Sequence, residues 1–203
     1  MIAPLELAKL CQSIYQTDQG WDHYWAYDKV VVALKRSEQG DIIVLRGSQA
    51  LIDWGRDLAA IPEHHGALGL VHAGFIAGMD DVFAEVQAAI TGRPIITGHS
   101  LGAARAMLLA GLFVAAGKPP QQIAAFGCPR PGGKQLRDMI CGSGTLIMSQ
   151  RNEADPVTYV PFLPNIFYHV IEPFEVHGGA VPGDASIFRE HSISQYIIAN
   201  SGA

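Results

Sequence analysis

An α/β fold, with a mostly parallel central sheet flanked by helices, is predicted by three features of the sequence. Short apolar runs are bounded by Gly and Pro, longer stretches of helical periodicity lie between them, and residues 94–102 pass from a strand directly into a helix. The 203 residues are 49% hydrophobic and 16% charged, enough to bury one sizeable core. No repeat, low-complexity tract or charge block divides them, so residues 1–203 are read as a single domain.

Along the chain, Leu7, Leu10, Cys11 and Ile14 share one side of an amphipathic helix over Leu5 to Tyr15. Trp25 to Tyr27, Val30 to Lys35 and Asp41 to Leu45 are rich in β-branched or aromatic residues and read as consecutive strands, the first two as a hairpin around Asp28 and Lys29. Gly74 to Ile90 then reads as a helix, Pro94 to Thr97 as a strand, and Leu101 to Ala116 as an Ala-rich helix stopped by Gly117, Pro119 and Pro120. Ile123 to Phe126 and Thr145 to Met148 are too short for isolated helices and suit buried parallel strands. Tyr168 to Ile171 is a further candidate strand, and a last helix is expected from about Ile187 to Ala199.

Composition excludes several classes of function. A formal charge of −5 with 14 scattered basic residues argues against nucleic acid as a partner. The longest apolar stretch, Met107 to Ala116, contains Gly111 and is far short of the ~20 residues that cross a bilayer, so no transmembrane segment is expected. Pro4, Glu6 and Lys9 interrupt the first ten residues, which therefore lack the pattern of a secretory signal, and a cytoplasmic location is the expectation. Cys11, Cys128 and Cys141 show neither a C-x-x-C pair nor metal-ligand spacing with the histidines, and are read as free thiols. Cys128, between Gly127 and Pro129, is the best of them as a reactive group, but a stronger nucleophile signal lies elsewhere.

That signal is Gly98-His99-Ser100-Leu101-Gly102, a G-x-S-x-G pentapeptide set between a strand and a helix, the context in which it makes a nucleophile elbow of the α/β-hydrolase fold. The turn is so tight that the positions two before and two after the serine must lack a side chain, hence Gly98 and Gly102. Ser100 is then held in a strained conformation that presents its hydroxyl, and the backbone N–H of Leu101 is placed to stabilise an oxyanion. The ordinary alternative for a serine here is a helix N-cap.

Beyond this turn the sequence resembles the class 3 lipases, the family that includes the fungal triacylglycerol lipases. Leu45-Arg46-Gly47-Ser48 is similar to the family's F-R-G-S/T segment, Val71-His72-Ala73-Gly74-Phe75 to its V-H-x-G-F, and Thr97 to Gly102 to its T-G-H-S-L-G. Phe126 to Gly132 is similar to its F-G-x-P-R-x-G, and Asn152 to Pro156 to its N-x-x-D-P. The departures are Leu45 in place of an aromatic residue, Cys128 at the variable position, and a somewhat shorter chain than the fungal enzymes; they bear on the substrate pocket.

A serine nucleophile needs a base and an acid behind it, and in this fold both follow it in the order Ser, Asp, His. Asp155, just after the Thr145 to Met148 strand and held extended by Pro156, meets that order, with Glu153 as its rival. By the resemblance Asp155 is the acid. Of the eight histidines, those ahead of Ser100 or within motifs drop out, leaving His191 and His177. The resemblance to the family's terminal H-x-x-Y region favours His191, which Glu190 precedes and Ser192-Ile193-Ser194-Gln195-Tyr196 follows. A second oxyanion donor should come from the loop after the Asp41 to Leu45 strand, and the resemblance implies the backbone N–H of Ser48.

Leu51, Trp54 and Leu58 fall on one face at helical spacing, with Asp53, Arg56 and Asp57 elsewhere; in the lipase family this segment is the lid. The expected function is a serine carboxylic-ester hydrolase acting on acylglycerols or related lipid esters, with transient contact at a lipid interface and no metal or organic cofactor. The alternatives are a phospholipase A1 or small-ester esterase using the same residues, and a non-catalytic binding module of the same fold. Hydrolysis rates across acyl-chain length separate the first two, and binding without turnover would mark the third.

Overall fold

The computed structural model describes residues 1–16, 18–27, 30–48, 61–163, 165–179 and 189–202. Helix α1 (Pro4–Gln16) starts on a proline whose fixed φ suits a first helical turn, and it buries Leu7, Ala8, Cys11 and Ile14. Strands β1 (His23–Ala26), β2 (Val31–Ser37) and β3 (Gly40–Leu45) follow as an antiparallel meander, with Trp25 opposite Val32 and Val32 opposite Leu45. The β1–β2 hairpin read from the sequence is present, although Asp28 and Lys29 lie outside the described residues.

Strands β4 (Pro62–His64) and β5 (Leu70–His72) form a separate small antiparallel ribbon that the polar sequence around Glu63 did not announce. The helix expected from Gly74 to Ile90 is two helices, α2 (Ala73–Ile76) and α3 (Met79–Ala89). Gly78 at φ 79° is the reason: its left-handed backbone ends one helix and redirects the chain into the next.

The remaining elements alternate: β6 (Ile95–His99), α4 (Leu101–Ala115), β7 (Gln122–Phe126), α5 (Lys134–Cys141), β8 (Leu146–Asn152), β9 (Phe174–Val176) and α6 (Ile193–Asn200). They complete a seven-stranded sheet in the order β1-β2-β3-β6-β7-β8-β9, in which every pairing from β3 onward is parallel. Two expectations need correction. Tyr168 makes only an isolated bridge to Gly132, and the edge strand is Phe174–Val176 instead of 168–171. The final helix begins at Ile193, after a 3-10 turn at Arg189–His191.

Strand side chains alternate strictly between two cores, as period-2 geometry requires. Val32, Leu34, Ile43, Leu45, Ile123 and Ala125 face the core built around α4, while Val31, Ala33, Ile42, Val44, Ala124 and Phe126 face the core built on α1 and Tyr196 of α6. Helices thus cover both faces, and the apolar runs of β3 and β7 are buried on both sides. Apart from the buried Arg105, helix α4 is apolar all round, and it is buried from Leu101 to Gly111, which fits its place against the sheet beneath α3 and α5. Among the described residues no helix is long and apolar enough to cross a membrane.

Candidate active site

Parallel strands β3, β6 and β8 deliver Ser48, Ser100 and Asp155 beyond their carboxyl ends, the usual location for sites in open α/β sheets, and His191 lies on the 3-10 turn before α6. After β6 the chain turns through Ser100 at φ 61°, ψ −132°, a conformation that costs a non-glycine residue of the order of 1–3 kcal/mol. A Cβ on Gly98 would collide with the Gly102 carbonyl, and one on Gly102 with the Leu45 carbonyl, so both glycines are obligatory for the turn. The Ser100 N–H donates to Phe126 O at 2.9 Å, which ties the turn to the end of β7.

Ser100 starts α4 but does not cap it. Its side chain makes no capping hydrogen bond, and its buried Oγ has no hydrogen-bond partner among the described residues. The backbone strain is therefore not compensated by a cap, which sets this serine apart from an ordinary helix start. Leu101 has its side chain in the α4 core, which fixes its backbone N–H in a first helical turn where no intrahelical acceptor is available.

Asp155 follows β8 and accepts a hydrogen bond from the Val157 N–H at 2.9 Å, capping the 3-10 turn Pro156–Tyr159. Its carboxylate meets Nδ1 of His191 at 2.9 Å from Oδ1 and 2.7 Å from Oδ2, and accepts a hydrogen bond from the Tyr196 hydroxyl at 2.5 Å. Both Asp155 and His191 are 0% exposed. Burial alone would raise the Asp155 pKa, but the hydrogen bond and charge of His191, with the Tyr196 and Val157 hydrogen bonds, outweigh it and hold the carboxyl below its ordinary range. An ionised Asp155 requires the proton on His191 Nδ1, which leaves Nε2 as the basic nitrogen. Nε2 is buried and has no hydrogen-bond partner among the described residues.

Gly127 sets the spacing between these groups and β7. It has φ 58°, and a Cβ there would stand 2.8 Å from Asp155 Oδ2 and 2.9 Å from His191 Nδ1. The rival residues are elsewhere: His177 has a 70% exposed side chain, lies 3.8 Å from Glu153 and from Glu175, and meets neither Ser100 nor Asp155. Cys128 is buried with Sγ donating to Pro129 O at 3.1 Å, and burial pushes its thiol pKa up, the opposite of an activated nucleophile.

Ser48 is half-buried, next to Gly47, whose position against the Ser100 turn is so close that an added Cβ would lie 3.1 Å from Ser100 Cβ. Leu51, Trp54 and Leu58 lie outside the described residues. Sequence reasoning missed several neighbours of His191. His99 was assigned to its motif alone, yet its Nε2 lies 2.6 Å from His191 O and its ring packs on the His191 ring at 4.6 Å. Asn152, fully buried, donates through Nδ2 to Glu190 O at 3.0 Å and accepts the Gly178 N–H at 2.8 Å, gripping the chain before His191. The spacing from Asn152 to Asp155 was the available signal for Asn152, and the sequence carried none for the His99 contact.

A family model described as Lipase (class 3) matches residues 42–165. The chain is 27% identical over 149 residues to secreted mono- and diacylglycerol lipase A of Penicillium cyclopium, covering 68% of this chain and 48% of that protein. It is 28% identical over 174 residues to the chloroplastic phospholipase A(1) DAD1 of Arabidopsis thaliana, covering 71% and 39% respectively. Of solved structures, the Rhizomucor miehei lipase propeptide complex superposes with a TM-score of 0.72 at 21% identity, over 85% of this chain and 67% of that one. The fold is accordingly the α/β-hydrolase fold of the fungal lipases. The chain spans about half the length, or less, of the curated relatives it matches.

Proposed function

We propose, from the premise that the chain belongs to the class 3 lipase family, that it is a serine carboxylic-ester hydrolase acting on acylglycerols or related lipid esters. One observation carries the reading. A buried, hydrogen-bonded Asp155–His191 pair leaves Nε2 without a partner among the described residues, and the strained Ser100 hydroxyl of the adjoining turn is likewise buried without one.

In this mechanism Ser100 Oγ attacks the ester carbonyl as His191 Nε2 takes its proton, and Asp155 stabilises the imidazolium. The N–H groups of Leu101 and Ser48 hold the oxyanion, the alcohol leaves with the proton from His191, and an acyl-Ser100 ester remains. Water, activated by the same nitrogen, attacks that ester and releases the acid. Ser100 and His191 are both 0% exposed, so substrate entry requires a part of the protein to move. Transient contact with a lipid surface belongs to this proposal, with Leu51, Trp54 and Leu58 as its sequence-derived apolar face. Activity followed through the solubility limit of a short-chain triglyceride tests it: a rise at the limit is expected, and a smooth saturation curve counts against it.

The direct test is hydrolysis of p-nitrophenyl esters from acetate to palmitate by the wild type and by Ser100→Ala. Turnover by the wild type and a loss of about 10³-fold or more in the variant are expected. Turnover that survives the substitution refutes Ser100 as nucleophile, and no turnover of any ester in solution or in emulsion refutes the hydrolase reading. A phospholipase A1 is the second reading, favoured by the similarity to DAD1. Release of the sn-1 acid from phosphatidylcholine vesicles in preference to diacylglycerol would select it.

A further inference from the structure

The His99 side chain sits between two groups that no motif connects. On one edge of its ring Nε2 lies 2.6 Å from His191 O; on the other, Nδ1 lies 3.2 Å from the Tyr15 hydroxyl. Tyr15 comes from the last turn of α1, and its hydroxyl packs against Gly47 in the loop after β3. A Cβ on Gly47 would fall on that hydroxyl and within 2.6 Å of His99 O. The loop, the nucleophile turn and the α1 hydroxyl are therefore packed as one unit.

The protons in this chain can be assigned without choice. A carbonyl only accepts, so His99 Nε2 carries the proton; Nδ1 is then bare, and the Tyr15 O–H must donate to it. The series runs Tyr15 O–H to His99 to His191 C=O, with every donor used once. Burial first, and then the neighbouring His191, push the His99 pKa down to about 3, so this ring stays neutral and the series stays intact near neutral pH.

We propose that Tyr15 and His99 are positioning residues that hold the Ser48 loop, the Ser100 turn and the His191 segment in one register. The inference rests on the hydrolase reading above. Neither side chain is assigned a contact with substrate; their effect is to fix the distance between oxyanion donor, nucleophile and base, for which an error near 1 Å costs about 10²-fold in rate. Residues 15, 47, 99 and 191 are far apart in sequence, yet the two hydrogen bonds of His99 and the close contact of the Tyr15 hydroxyl with Gly47 link the three segments that the reaction needs together.

Tyr15→Phe keeps the ring and removes only the hydroxyl, so it is the primary variant; His99→Leu and the double variant complete the set. We expect Tyr15→Phe to lower kcat on p-nitrophenyl butyrate about 10- to 100-fold with KM within about threefold, and the double variant to be no worse than His99→Leu alone. Phosphonylation of Ser100 by a fluorophosphonate should slow by the same factor in Tyr15→Phe. The ¹⁵N imidazole spectrum of the wild type should show His99 as the Nε2–H tautomer. Unchanged kcat in a folded Tyr15→Phe, a loss that appears in KM alone, or independent multiplication of the two single effects overturns the proposal. Failure of the wild type to hydrolyse esters would refute the hydrolase reading, whereas the phosphonylation rates and the tautomer, which need no ester, still decide this one: unchanged rates or an Nδ1–H tautomer overturn it.

Discussion

Replacing Gly127 with alanine would put a methyl carbon 2.8 Å from Asp155 Oδ2 and 2.9 Å from Cε1 and Nδ1 of His191. Ordinary contact for such atoms begins near ~3.5 Å, so the Asp155–His191 pair or the backbone of residue 127 must yield by about 0.5 Å or more. The φ of 58° adds the cost of a left-handed conformation for an L residue, roughly 1–2 kcal/mol. Gly117→Ala separates the two effects, because Gly117 has φ 71° but nothing within 4 Å of the added carbon. Urea unfolding followed by tryptophan fluorescence should show a loss of about 1–2 kcal/mol in both variants, with the excess in Gly127→Ala measuring the collision. Hydrolysis of p-nitrophenyl butyrate should stay at the wild-type level in Gly117→Ala and fall about 10- to 100-fold in kcat in Gly127→Ala. Equal stability losses with kcat preserved in both variants would refute the claim that Gly127 sets the place of the pair.

Three further expectations concern the buried polar groups. Tyr196→Phe removes the hydroxyl that donates to Asp155 and accepts the Asn152 N–H, so stability should fall by about 1–3 kcal/mol and kcat about tenfold; a variant with wild-type kcat would show that Asp155 needs no such support. Asn152→Ala leaves the Gly178 N–H and the Glu190 groups without their partner and should lower the urea midpoint by an amount equivalent to about 1–3 kcal/mol, an unchanged midpoint counting against the clamp. Acid should destabilise the fold in two stages. His99 and His169 have pKa values pushed down, by burial foremost, from 6.5 to about 3 and about 4, so below 6.5 the unfolded chain binds protons that the folded chain refuses, and stability falls as pH drops. The depressed Asp155 pKa contributes stability above its unfolded value that is lost as pH falls further, through the folded value. Urea midpoints from pH 7 to pH 4 should decline in the wild type and decline less steeply in His169→Gln; identical slopes would exclude the contribution of His169.

The sheet was legible because its strands are buried on both faces, which concentrates Val, Ile and Ala in runs such as Ile42 to Leu45 and Ile123 to Phe126. The edge strand Phe174–Val176 was not, since an edge position with exposed Phe174 and Glu175 imposes no such pattern, while the more apolar 168–171 run is spent on packing outside the sheet. The split between α2 and α3 was hidden because apolar spacing continues across Ala77 and Gly78, and only the backbone angle at Gly78 shows the break. At the candidate site, Ser100, Asp155 and His191 stand out in local motifs and in the family resemblance, and the structure brings the latter two together directly. The contacts around them are not legible in this way. Tyr15 and His99 meet across 84 positions, and Tyr196 and Asp155 across 41, distances over which no periodicity carries information.

Helix α4 has consequences for how such a protein can diversify. A surface helix accepts change on its outer half, but this one has no outer half between Leu101 and Gly111: each side chain already fills space owned by a neighbour. Random substitution here would mostly be eliminated by misfolding before any altered preference for substrate could be noticed. A library aimed at new esters is therefore best built with 98–111 held constant, and its variation spent on segments that are not wedged between sheet and helices.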